Sequence, residues 1–194
     1  KVASVYRAEA YCPLYTDAKI KHILKCLKFS RQRATRGYSD RDSWDMFHYL
    51  QELIPAMLQD LRNHRHGSPV LEGVPENELE EKWNEILERM IFLWQESSEE
   101  TCSKKNRYEA RYWSCHREFE KKYGLFGCKL MTEEEKKASR EGKGTRVHFM
   151  GELPEYRMIS DRYFQAERRL EKYRDECKNE ALEMLKKYFW ALWD

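Results

Sequence analysis

Six residues within one short stretch carry the densest chemistry of the chain: Arg31, Arg33, Arg36, Tyr38, Arg41 and Trp44. A guanidinium group meets phosphate through two parallel hydrogen bonds, an aromatic ring stacks on a nucleobase, and a helix start offers unsatisfied N–H groups. Gly37 lies among them, where the backbone can turn sharply and gather them. Arg33, Arg36, Tyr38, Arg41 and Trp44 are therefore the candidate phosphate- and base-binding residues. The same stretch contains Asp40, Asp42 and Asp45. Those acids offer the arginines a competing use, which is to pair internally and lock the turn. A second basic run, Arg62 to His66, reads as the end of a helix, where positive charge suits the macrodipole.

The remaining chemical candidates are thinner. Asp40, Asp42 and Asp45 suggest a divalent cation, but capping and dipole complementarity account for two of the three. The pair His64/His66 and the adjacent Cys115–His116 lack a matching second half for zinc. Glu80, Glu81, Glu85 and Glu88, with Glu171 and Asp175 far along the chain, loosely resemble the acidic helix pair of all-helical nucleotide pyrophosphohydrolases, which hold magnesium at a triphosphate. Here the acids alternate with lysines, as on a solvated face. No phosphate-binding glycine loop, nucleophile elbow or zinc-protease motif occurs. The sequence assigns no catalytic residue, no cofactor and no metal, and leans away from an enzyme.

The net charge is +2, so no global field demands a nucleic-acid or membrane partner. Cys12, Cys26, Cys102, Cys115, Cys128 and Cys177 form no CxxC pair and read as reduced thiols of a cytosolic protein. No signal peptide is visible, and no apolar run reaches membrane length. The chain has 12 Tyr, 8 Phe and 6 Trp, more rings than a small stable domain needs; core filling is their commoner use, and aromatic-rich chains often place some at interfaces or ligand sites.

The elements that must position these residues are helical. Residues 1–16 form a lead-in without clear period, and 17–194 a single helical domain. The spacing of Ile20, Ile23, Leu24 and Leu27 predicts a first helix from Asp17 to Gly37. A second runs from Ser39 or Asp40 to the basic run at 62–66, kinked at Pro55. Its apolar stripe places Trp44, Leu50, Leu53 and Met57 in the core, with Trp83 from the next helix. Residues 67–76 are a loop, a third helix starts near Asn77, and 97–103 is a break. Tyr108 to Tyr123 form a fourth helix ended by Gly124 and Gly127. Thr132 and Glu135 make a capping box for a short helix. Val147 to Met150 read as extended, and a long helix follows Pro154. The fold class is all-α: an irregular bundle of about five or six helices with a long C-terminal helix. Phe189, Trp190 and Trp193 at its end are expected to touch the fold or a second copy, so self-association through this helix is a further expectation.

The stretch RATRGYSDRDSWDM with IPAMLQDLRNHRHGSP resembles a family of small accessory proteins of tailed phages and prophages of Gram-positive gut bacteria. KWNEILERMIFLWQE, KKYGLFGCKLMTEEEKK and ECKNEALEMLKKYFWALWD carry the resemblance over the rest of residues 25–194. It implies expression in the cytoplasm of a host bacterial cell and brings no catalytic residue with it. Phages commonly use such proteins against host defences. The leading expectation is thus a non-catalytic counter-defence protein that sequesters a host factor, most concretely a nucleotide immune signal. The alternatives are an inhibitor of a host defence protein acting through helical surfaces, and a magnesium-dependent nucleotide pyrophosphohydrolase.

Overall fold

The computed structural model describes residues 16–193. The lead-in expected over 1–16 therefore lies outside the described residues apart from Thr16, as does Cys12. The fold is all-α, and the described residues contain no strand. Their contacts group into two compact units that divide between Leu53 and Ile54.

The N-terminal unit contains α1 (Thr16–Arg36), α2 (Asp40–Trp44) and the first part of α3 (Met46–His64). Gly37 ends α1 with φ +83°, and its N–H donates to Arg33 O at 2.9 Å, the left-handed helix stop that favours glycine. Ser39 then caps α2 through a reciprocal box with Asp42. The sequence predicts one helix from here to the second basic run. The structure instead breaks it at Asp45, whose φ −124° and ψ 57° are not helical, before α3 begins at Met46. Beyond the break, α3 runs as one α-helix through Pro55.

The C-terminal unit is built on α4 (Leu79–Ser97) and α7 (Pro154–Tyr188). Apolar side chains bury α4 on most sides: Trp83, Leu87, Met90 and Leu93 are almost wholly inaccessible. Such width marks a helix with several neighbours. Cys177 and Ala181 of α7 complete this core, and Tyr173, Met184, Leu185 and Tyr188 pack beside them. The Tyr188 ring meets Trp83 edge-on at 5.7 Å. Ile54, Leu58 and Leu61 of α3 also belong here. Leu58 is 4% exposed while its neighbour Met57 is 62% exposed, so the Met57 expected in the core faces solvent. The periodic stripe is wider than the neighbours that cover it, and the 54/58/61 row is the covered part.

A second core joins α5 (Glu109–Tyr123) to the first turns of α7, with Tyr112, Phe119 and Met150 at its centre. Tyr112 and Tyr163 stack at 3.9 Å and 13°. A 35-residue helix is about 52 Å long, which lets α7 serve both cores. Pro154 is its first residue, where a missing N–H costs nothing.

The break after α4 is organised by a buried acid. Glu96 accepts from Ser103 N at 2.8 Å, Ser103 Oγ at 2.9 Å and Tyr173 Oη at 2.9 Å. Burial opposes its charge, but these donors prevail and hold its pKa below the ordinary value. Further on, the capping box of α6 (Glu133–Arg140) forms as the Thr132/Glu135 spacing predicts. The 147–150 piece is not a strand. It leads into a short 3-10 turn, and His148 there bridges Glu135 at 3.2 Å and Glu152 at 3.0 Å.

At the end of α7, Ala191 and Leu192 pack on the α4 core. Phe189, Trp190 and Trp193 are each more than half exposed.

Candidate functional site

The basic-aromatic stretch folds into the turn between α1 and α2, and the acids determine what its arginines do. Arg33 reaches Asp42 with a two-pronged fork, Nε at 2.8 Å and Nη2 at 2.5 Å. Asp42 also takes the Ser39 N–H at 2.7 Å, and both Ser39 and Asp42 are buried. Arg33 lies over the Tyr49 ring at 5.7 Å, and the Tyr49 hydroxyl donates to Gly37 O at 3.2 Å. The Arg33 guanidinium is the largest influence on Asp42. It outweighs desolvation and lowers the carboxyl from 3.8 to about 2.

Arg36 is committed in the same way. Its Nε donates to Tyr38 O at 2.9 Å, its Nη2 meets Asp40, and its plane lies 4.6 Å from the Tyr38 ring centroid. Asp40 also receives Gln32 Nε2 at 2.8 Å and Lys28 Nζ at 2.9 Å, while its own N–H donates to Gln32 Oε1 at 3.0 Å. Gln32, Lys28 and Arg36, in that order, hold its carboxyl below the ordinary carboxylate range. Lys28, Gln32 and Arg36 stand four apart and form one row on α1. That row is visible in the sequence, but the uncharged Gln32 and the distant Tyr49 drew no attention there.

The structure thus brings Arg33, Arg36 and Tyr38 together around Asp40 and Asp42. Arg41 is half-buried in α2. Trp44, expected in the core, is 91% exposed at the end of α2. A five-residue helix has too little length to bury its last side chain before the chain breaks at Asp45.

The same geometry turns the apolar side of α1 outward. Counting 100° per residue, Phe29, Gln32, Arg33 and Arg36 share one face, which carries the contacts just described. Ile23, Leu24 and Leu27 lie opposite and are 56–61% exposed. Arg31 continues the line of that stripe one turn further on and is exposed. Met46 and Phe47 at the start of α3 are exposed as well. The sequence showed the apolar stripe of α1 but not which face would find a neighbour.

The acidic residues of α4 line an open groove with Arg62 and Asn63. Glu88 pairs with Arg62, Glu85 with Lys82 at 2.6 Å, and Asp175 of α7 with Lys178. Among the described residues no group of three or more His, Cys, Asp or Glu is placed to hold a metal ion. The described cysteines are free thiols. No helix among the described residues is long and apolar enough to cross a membrane. Comparison of the chain with protein-family models, curated proteins and solved structures finds no match.

Proposed function

We propose that the chain is a non-catalytic accessory protein that binds another protein through the apolar face of α1, in keeping with the phage resemblance and a host target. The observation that carries this is the pairing of two facts on one helix. Arg33 and Arg36, which would grip a phosphate, are committed to Asp42 and Asp40, while Ile23, Leu24 and Leu27 stand exposed on the opposite side. An exposed apolar stripe of this kind suits an amphipathic partner helix. α1 carries seven Lys or Arg against one Asp, so the matching surface is apolar with an acidic rim.

Nucleotide capture by Arg33, Arg36, Tyr38, Arg41 and Trp44 requires the forks to leave their carboxylates for a phosphate. The test sets the two readings against each other. The parent, Leu24→Glu/Leu27→Glu and Arg36→Ala are isolated from bacterial cells and screened for melting shifts with mono-, di- and cyclic nucleotides. The expected result is a protein retained by the parent and by Arg36→Ala but lost from the double variant, with unchanged melting and no nucleotide shift. A millimolar nucleotide that stabilises the parent but not Arg36→Ala would instead support capture of a nucleotide signal.

A further inference from the structure

A cavity of about 410 Å³ opens in the C-terminal unit between α5, the 147–151 segment and the first turns of α7. Its volume falls within the range of small-molecule sites. Rings from four segments line it: Tyr112 and Phe119 of α5, Phe126 of the turn after it, Phe149, and Phe164 of α7. Among the described residues neither Lys nor Arg lines it. The polar groups in the wall are few, chiefly His116, Glu120 and Ser160, with His148 held between Glu135 and Glu152.

Ser160 is the telling residue. It is 6% exposed and lines the cavity, and its oxygen is not one of the fully enclosed unpaired polar atoms, so it remains reachable from the cavity. Helical serines often bond the carbonyl four residues back, whereas a hydroxyl that opens onto a cavity keeps its donor and acceptor for what enters there. Gly151 is its counterpart. A Cβ there would stand 2.8 Å from Ser160 Oγ, so the glycine leaves the hydroxyl open to the cavity.

The mouth is also built at a cost. Phe126 has φ 53° and ψ 27°, and it is the one non-glycine residue with positive φ among the described residues. Its carbonyl accepts the His148 N–H at 3.1 Å, and the next residue, Gly127, packs so closely on His148 that a Cβ would come within 2.8 Å. Strain of this kind persists where surrounding structure imposes it, and it clusters at ligand clamps. The Phe126 ring gains little burial in return, at 62% exposed, and Phe149 is 67% exposed. Both rings border the cavity.

We infer that this cavity binds an uncharged planar heteroaromatic molecule of about purine size, anchored by a hydrogen bond to Ser160 Oγ and covered by the rings of Phe126 and Phe149. Five aromatic side chains supply stacking and edge contacts for a planar ring system. Ser160 both donates and accepts, His116 offers a ring nitrogen, and the Glu120 carboxylate accepts N–H groups, which together match the donor and acceptor edge of a base. The lack of a lining Lys or Arg, with Glu120 in the wall, disfavours a phosphate. The site is independent of α1 and of the protein-binding reading.

The test is saturation-transfer NMR and calorimetry with adenine as the uncharged probe and AMP as its charged counterpart. The parent is expected to bind adenine, and AMP at least tenfold more weakly. Ser160→Ala should weaken adenine about tenfold. Gly151→Ala, which covers the hydroxyl, should weaken it at least as much. Phe149→Ala changes an exposed ring, so it should fold and still lose several-fold in affinity. Melting of each variant confirms that it is folded. No saturation transfer from adenine at millimolar concentration would overturn the inference. So would equal binding by the parent and folded Ser160→Ala and Phe149→Ala, or tighter binding of AMP than of adenine.

Discussion

Removing the Arg33–Asp42 fork is the perturbation whose size follows most directly from the geometry. The Asp42 side chain is 4% exposed and that of Arg33 29%, so the pair is better protected than a surface ion pair, which contributes about 0.2–1 kcal/mol. The displacement of the Asp42 carboxyl from 3.8 to about 2 corresponds to roughly 2.5 kcal/mol, its partners' contribution net of the opposing cost of burial. Ser39 contributes to that sum, which leaves about 1–2 kcal/mol for Arg33. Asp42→Ala loses the fork and the capping box, the latter worth about 1 kcal/mol, and should destabilise by about 2–4 kcal/mol. Arg33→Ala should cost about 1–2 kcal/mol. The assay is a double-mutant cycle on urea midpoints followed by far-ultraviolet circular dichroism. A coupling energy of about 1–2 kcal/mol is expected. The sign with pH follows from the lowered pKa. The contribution is complete above the unfolded value of about 3.8 and disappears as pH falls through about 2. A coupling below about 0.3 kcal/mol would refute the reasoning and return Arg33 to the pool of ligand-binding groups.

The other expectations concern the C-terminal unit. Leu58→Ala should cost about 2–5 kcal/mol and Met57→Ala less than about 0.5 kcal/mol, and equal losses would misplace the packed face of α3. Glu96→Ala strands the Tyr173 hydroxyl and the Ser103 N–H and should cost about 2–4 kcal/mol by thermal melting; a cost under about 0.5 kcal/mol would mean that water replaces the acid freely. His148 has its pKa raised, first by Glu152 and then by Glu135, so its contribution is present below about 6.5 and lost as pH rises through the raised value. His148→Gln should therefore flatten the stability–pH curve over that interval, and an unchanged slope would dissociate the bridge from stability.

The helices were legible because their apolar residues recur at three and four, and the stops at Gly37 and Gly124, the cap at Ser39 or Asp40 and the box at Thr132 are local. What periodicity does not contain is which side of a stripe finds a neighbour. Ile23, Leu24 and Leu27 resemble Leu87, Met90 and Leu93 in sequence, yet the first set is exposed and the second buried. The break at Asp45 was hidden because the apolar residues on either side of it keep helical spacing. The candidate site was legible as a cluster, since Arg33, Arg36 and Tyr38 do assemble, and the competing pairing with Asp40 and Asp42 was visible in the same stretch. The aromatic cavity was not legible. Its rings, Ser160 and Gly151 come from positions spread over 112–164, and only folding brings a largely buried serine, a glycine and a left-handed phenylalanine together.

The central claim is that α1 works through its apolar face, and site-specific photo-cross-linking tests it most directly. A photoreactive residue is placed at Leu27 in the stripe, or at Lys25, which is exposed on the other side of the same helix. In living bacteria the Leu27 position should give a discrete adduct with another protein and the Lys25 position should not. Equal adducts from both positions, none from either, or adducts only between copies of this chain would contradict the account.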